Sequence, residues 1–231
     1  MHTKALAGFV VCAALAAVPL VLWAAQAPQA PTAPPVVAPL PVVAPSLPPT
    51  RVVDLTSSEG AAAFGAQWRN MDVRIVEVPA MPNAGPAWKT AYDIQPKAGE
   101  VGFDDSSWPK IEPKGLLDRR GGGRLFMTWY RATLTVPGKI GDFDTNTARV
   151  VLAFTIDDYA EVWVNGQMPR AAGRPSPATI QGFNMPNRVV LSEAVTPGDR
   201  FQIAILGING PISLAPQNPV FFREAKIEFF R

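Results

Sequence analysis

The chain has 231 residues, a formal net charge of +2, and a single histidine and a single cysteine, His2 and Cys12, both near its start. Beyond that start there is no imidazole or thiol to activate a nucleophile or ligate zinc, so Ser-His-Asp, Cys-His and His/Cys zinc chemistries are excluded from the body. Charges of both signs interleave without a basic run, which argues against nucleic acid as a partner; paired-carboxylate, lysine and calcium chemistries stay open.

Residues 1–27 read as a targeting segment, with His2 and Lys4 followed by an apolar stretch from Ala5 to Ala25. Ala25 and Ala27 suit a cleavage site, whereas the apolar length and Pro28 suit a retained anchor, so signal peptide and inner-membrane anchor are both open. Either way the expected location is exported: periplasmic, or anchored in the inner membrane and facing the periplasm. Residues 28–49 are a Pro/Ala/Val-rich linker without charge. Proline fixes φ and removes donors, so this run favours polyproline II and reaches on the order of 70 Å at about 3.1 Å per residue. The folded domain is expected over residues 50–231, with contact to a membrane only through the N-terminal segment.

One short helix is expected, capped by Ser57 or Ser58 and running through Ala61, Ala62 and Phe64 to Trp68, with Glu59 near its positive end. Everything later reads as strands: 72–78, 125–136, 149–156, 159–164, 189–191, 201–206 and 220–230. Asn165-Gly166 is a strong turn signal at the end of one of them. Antiparallel strands divided by Pro/Gly turns predict an all-β fold, an antiparallel β-sandwich of jelly-roll type. The closing Phe229-Phe230-Arg231 leads to the expectation that the last strand lies within a sheet.

Three stretches carry a resemblance. Gly102–Trp108 (GFDDSSW), Trp129-Tyr130-Arg131 and Ile156–Gly166 (IDDYAEVWVNG) follow one another as in the galactose-binding-like jelly-roll domain of β-galactosidase and β-glucuronidase relatives. Gln67–Val78, Gly182–Leu191 and Leu206–Ser213 resemble more closely the accessory domain attached to some gluconolactonase/regucalcin-like proteins. The resemblance covers nearly all of residues 51–231 and implies a jelly roll and a link to carbohydrate. It does not imply lactonase or glycosidase activity, because those activities reside on a β-propeller or a barrel for which the chain has no room. The expectation is therefore a domain that is not an enzyme.

Sugar binding needs aromatic faces for C–H groups and planar polar side chains for hydroxyls, presented on loops. The candidate ligand-binding residues are Trp88, Asp104, Asp105, Arg120, Asn184, Asn187 and Asn209, with Arg119 and Arg124 beside Arg120, and together they could form a polar cleft at one end of the sandwich. Trp129 and Trp163, inside strands, are expected in the core, and Trp108 is expected tucked under its loop. Arg131 is expected to be buried and paired with Asp157 or Asp158, which would fix a hairpin entrance. No cofactor is expected, although Asp104 and Asp105 are weak candidates for a structural Ca²⁺ without EF-hand spacing. Three functions follow: a carbohydrate-binding module or accessory domain, a protein-interaction domain docking on a separate sugar-lactonase-like propeller, or a cryptic glycosidase- or lactonase-related enzyme using carboxylates such as Asp157, Asp158 and Glu161.

Overall fold

The computed structural model describes residues 48–80, 89–122, 125–168, 184–210 and 219–231. The leader, most of the linker, Trp88 and Arg124 lie outside the described residues. β1 (Arg51–Asp54) leads into α1 (Ser58–Ala63), then β2 (Trp68–Asp72), β3 (Arg74–Pro79), β4 (Thr90–Gln95) and β5 (Lys110–Ile111). A 3-10 turn at Pro113–Leu117 precedes β6 (Phe126–Thr135), β7 (Lys139–Ile140), β8 (Phe143–Asp144), β9 (Arg149–Asp157) and β10 (Tyr159–Val164). The chain closes with β11 (Pro186–Ser192), β12 (Arg200–Asn209) and β13 (Phe221–Phe230).

The strands make an all-β sandwich. One sheet has four strands in the order β1-β13-β9-β11, and the other has five in the order β10-β12-β6-β2-β5. Every pairing among the described strands is antiparallel, and β13 lies between β1 and β9, inside its sheet as expected. Two short ribbons, β3-β4 and β7-β8, stand apart from the main sheets.

The core follows from alternation along the strands. In β6, Tyr130, Ala132 and Leu134 point between the sheets, while Trp129 and Arg131 point to the outer face. In β9, Val150, Leu152, Phe154 and Ile156 face inward in the same way. Phe222 of β13 centres an aromatic cluster, with ring centroids 4.8 Å from Tyr130, 5.6 Å from Phe154 and 6.4 Å from Trp68. A second, smaller apolar layer covers the outer face of the five-stranded sheet: Ala98, Trp108, Trp129, Ala204 and Leu206, with Phe103 and Trp163 packed against them. Gly99 lies flat against the Trp163 ring, where an added Cβ would come within 2.5 Å of it.

Three local expectations are corrected. The helix stops at Ala63 because Gly65 takes φ +59° and turns the chain, so Trp68 opens β2 and enters the core as a strand residue. The run 72–78 is not one strand: it breaks at Val73, whose N–H donates to the Met127 carbonyl (2.9 Å), and continues into the β3-β4 ribbon. Asp157-Asp158 do not enter a hairpin. β9 belongs to the four-stranded sheet and β10 to the five-stranded one, so these residues carry the chain from one sheet to the other. The Asn165-Gly166 turn is present, with φ of 50° and 78° and mutual hydrogen bonds between Val164 and Gln167.

Candidate functional site

The motif residues assemble on the outer face of the five-stranded sheet. Arg131, only 3% exposed, donates from Nε to Asp105 Oδ2 (2.8 Å), from NH1 to the Ala98 carbonyl, and from NH2 to the Phe103 carbonyl (3.3 Å). Its expected partners, Asp157 and Asp158, belong to the crossing between the sheets and not to this face, so that expectation is corrected to Asp105. Strand parity explains the change: Arg131 points outward, toward the segment that folds back across the sheet. Arg69, next to Arg131 on β2, places Nε 3.6 Å from the other Asp105 oxygen and donates to the carbonyls of Ser106 (3.0 Å) and Trp108 (2.7 Å). Asp105 is thus spent between two guanidinium groups as the staple of its loop. Trp129 Nε1 fixes the start of the same segment by donating to the Pro96 carbonyl (2.8 Å). Asp104 accepts the Ser106 N–H (2.9 Å), and this hydrogen bond holds its carboxyl below the usual range.

The remaining candidates gather elsewhere, at the end of the sandwich where β9 and β12 finish and β10 and β13 begin. Asp157 Oδ2 accepts from Arg223 NH2 (2.7 Å), and Arg223 Nε donates to Asn184 Oδ1 (2.8 Å). Arg223 is the extra residue of a β-bulge between Phe222 and Glu224. The Asn184 N–H donates to the Asp158 carbonyl (3.2 Å), tying the start of β11 to the crossing. Arg119 and Arg223 both lie over the Phe221 ring, at 4.6 and 5.4 Å. Arg120 exchanges backbone hydrogen bonds with Val220 and reaches toward the Tyr130 ring at 6.0 Å. Asp158 and Asn209 are buried at this end, at 1% and 0% exposure.

These two centres are distinct. Ala204 lies opposite Arg131 on β12 and Asn209 ends that strand, so five residues, roughly 17 Å, separate them. The single polar cleft expected from the sequence is therefore divided: Asp104 and Asp105 sit on the outer face, while Arg120, Asn184 and Asn209 sit at the end. Asn187 belongs to neither. It lies opposite Phe154, whose side chain points into the core, and donates to the Met185 carbonyl (3.3 Å). Trp108 and Trp129 are in the outer apolar layer at 5% and 2% exposure, and Trp163 packs beside them only partly buried. Arg223 was missed by sequence reasoning, since an arginine inside the strand-like run FFREAKIEFF signals only a solvated face.

The sandwich end contains an acceptor left over, and Asn187 Oδ1 on β11 is another among the described residues. Asp157 is 5% exposed, one oxygen holds Arg223, and among the described residues the other, Oδ1, is buried without a protein hydrogen-bond partner. A buried carboxylate oxygen without a hydrogen bond is costly, so this atom calls for a donor. Beside it, Asn184 presents its amide nitrogen and Arg223 its remaining guanidinium nitrogen. The described residues contain no group of three His, Cys, Asp or Glu side chains placed to hold a metal ion.

No family model matches the chain, and no curated protein matches it. Its structure is similar to one part of several longer solved glycosidases. A calcium-binding mutant of Bacteroides uniformis β-glucuronidase 2 aligns at 16% identity and TM-score 0.45, covering 78% of this chain and 18% of that one. A β-glycosidase from Bacteroides vulgatus aligns at 15% identity and TM-score 0.44, covering 78% and 20%. A Bacteroides uniformis β-glucuronidase aligns at 16% identity and TM-score 0.40, covering 71% and 18%. The chain spans about a fifth of the length of these solved structures.

Proposed function

We propose that this chain is an exported, non-catalytic carbohydrate-binding module or accessory domain whose ligand site is the sandwich end formed by Asp157, Asn184 and Arg223. The observation that carries this reading is the hydrogen-bonded group of Asp157, Asn184 and the half-exposed Arg223 at one end of the sandwich. A sugar diol offers oxygens for the half-exposed guanidinium and the amide beside it. The likeness of GFDDSSW, WYR and IDDYAEVWVNG to sugar-binding jelly rolls supports the same reading. The more specific kinship with gluconolactonase-associated domains remains part of the proposal. A glycan-array screen of the full chain, followed by calorimetry with and without Ca²⁺, tests it. Saturable binding lost in Asn184→Ala and Arg223→Ala is the expected result. Binding to no glycan at millimolar concentration overturns it.

A second reading is favoured by the β3-β4 ribbon, which leaves Tyr92 73% and Ile75 42% exposed. Large apolar side chains on an isolated ribbon suit a docking arm. On this reading the chain is an accessory domain that binds a separately encoded partner, such as a sugar-lactonase-like propeller. Co-purification of a propeller protein that is lost in Tyr92→Ser would support it.

A further inference from the structure

We propose that the outer face carries a second ligand site, independent of the sandwich end: a cleft for a neutral pyranose at the root of the β3-β4 ribbon. The cleft has a volume of about 470 Å³ and is lined by Met71, Asp72, Arg74, Gln95, Pro96 and Trp108. That volume is in the range of small-molecule sites, about 300–1,000 Å³. One wall is the end of β2, the other is the root of the ribbon, and the loop carrying Trp108 borders it on an open, shallow face.

Its chemistry is divided between floor and rim. Met71, Pro96 and the accessible edge of Trp108 supply apolar contact. At the rim, Asp72 Oδ1 is fixed by the Thr128 hydroxyl (3.1 Å), which leaves Oδ2 as an acceptor. Arg74 NH2 donates to Gln95 Oε1 (3.3 Å), which fixes that amide and leaves its nitrogen and the other guanidinium nitrogens as donors. An apolar floor ringed by one acceptor and several donors matches a ring with a C–H face and a hydroxyl edge. An anion would meet Asp72 and a cation would meet Arg74, so a neutral sugar fits best.

The arginine clamp gives this cleft its rigidity. Arg69 holds the Trp108 carbonyl and Arg131 holds Asp105, whose carbonyl accepts the Trp108 N–H (2.9 Å), while Trp129 holds the Pro96 carbonyl. The floor is therefore fixed before any ligand arrives, which lowers the ordering cost of binding. The motif residues of this face act as positioning residues for the cleft.

Amide NMR titration of the full chain with methyl glucopyranosides and methyl galactopyranosides of both anomers tests the proposal. The expected result is saturable shifts at the amides of Asp72, Arg74 and Gln95 with at least one of these sugars. Arg74→Ala, at an exposed position, should weaken this binding about tenfold without moving the thermal midpoint, and Asp72→Asn, which keeps an oxygen for the Thr128 hydroxyl, should weaken it as well. Arg223→Ala should leave it unchanged. Shifts at Asn184 alone would overturn the cleft while the sandwich-end reading stands, and shifts at the cleft alone would do the reverse. Cyclohexanol shifting the same amides as strongly as the sugars would also overturn it, since the rim would then contribute nothing.

Discussion

The two centres each hold a carboxylate against arginine, yet they are spent differently. On the outer face Asp105 lies between Arg69 and Arg131, and both of its oxygens face guanidinium groups. At the sandwich end Asp157 has one arginine, and its second oxygen is buried without a protein partner among the described residues. The outer-face centre is closed and holds a loop; the end centre is half open and keeps an acceptor in reserve. A recognisable motif carboxylate can thus be wholly structural, while its less conspicuous neighbour in IDDYAEVWVNG keeps one oxygen without a protein partner among the described residues.

The sharpest way to break this comparison is to open the closed centre. Arg131→Ala removes the central partner of Asp105 and the donor to two backbone carbonyls, leaving the loop 98–105 without its anchor. Removing one member of a buried pair is strongly destabilising, and here the expected loss is about 3 kcal/mol, since Asp105 is partly exposed and Arg69 still faces it. The urea midpoint should fall accordingly, and Arg131→Lys should recover only part of it because lysine lacks the planar fork. Glycan binding at the sandwich end should survive in the folded fraction. Loss of that binding in proportion to occupancy of the native state, and no further, is the outcome that keeps the two centres separate.

Opening the other centre should have the opposite signature. Arg223 is half exposed but its loss leaves the buried Asp157 carboxylate without its partner, so Arg223→Ala is expected to cost about 2 kcal/mol of stability, less than Arg131→Ala. Sugar affinity at the sandwich end should fall about tenfold or more, because a charge-assisted donor and the orientation of Asn184 are both lost. Asp157→Asn, which keeps the shape but removes the charge, should lose affinity with little change in the urea midpoint. A large fall in stability with unchanged affinity would make the sandwich end as structural as the outer face.

The sequence makes the sandwich legible where strands are long, alternating and β-branched. β6, β9, β10, β12 and β13 all fall where the periodicity places them. β4 (TAYDIQ) escapes it because no face of that ribbon is fully buried, so no apolar alternation is imposed. β1, β5, β7 and β8 are too short to carry a period. Strand parity indicates that Arg131 and Trp129 share a face opposite Tyr130, but not which loop crosses that face, so Asp105 could not be chosen over Asp157. The division of the candidate residues into two centres was hidden for the same reason. Loop positions are read from sequence one at a time, and which end or face a loop serves is settled by pairings between distant strands, such as Asn209 with Phe126.

Two pH effects sharpen the contrast more gently. Tyr130 sits between the sheets beside Arg120, and burial pushes its hydroxyl pKa well above the usual tyrosine value, against the weaker opposing pull of Arg120. The unfolded chain ionises it near pH 10, so its contribution is fully present below that pH and is lost as pH rises above it. Urea midpoints should therefore drop more steeply above pH 10 in the wild type than in Tyr130→Phe.

The smallest effect belongs to Glu224, next to the bulge at Arg223. Its carboxyl is held below the usual range first by the hydrogen bond from Lys226, and also by the Thr155 hydroxyl. A depressed carboxyl pKa contributes stability above the unfolded value, near 4.3, and loses it as pH falls through the folded value. The pair is partly exposed and screened, so the contribution is on the order of a few tenths of a kcal/mol. Glu224→Gln should flatten the acid limb of the stability curve slightly and leave Arg223 in place. If it instead weakened sugar binding as much as Arg223→Ala does, the bulge itself, and not the Asp157–Arg223–Asn184 group, would be what the sandwich end uses to hold its ligand.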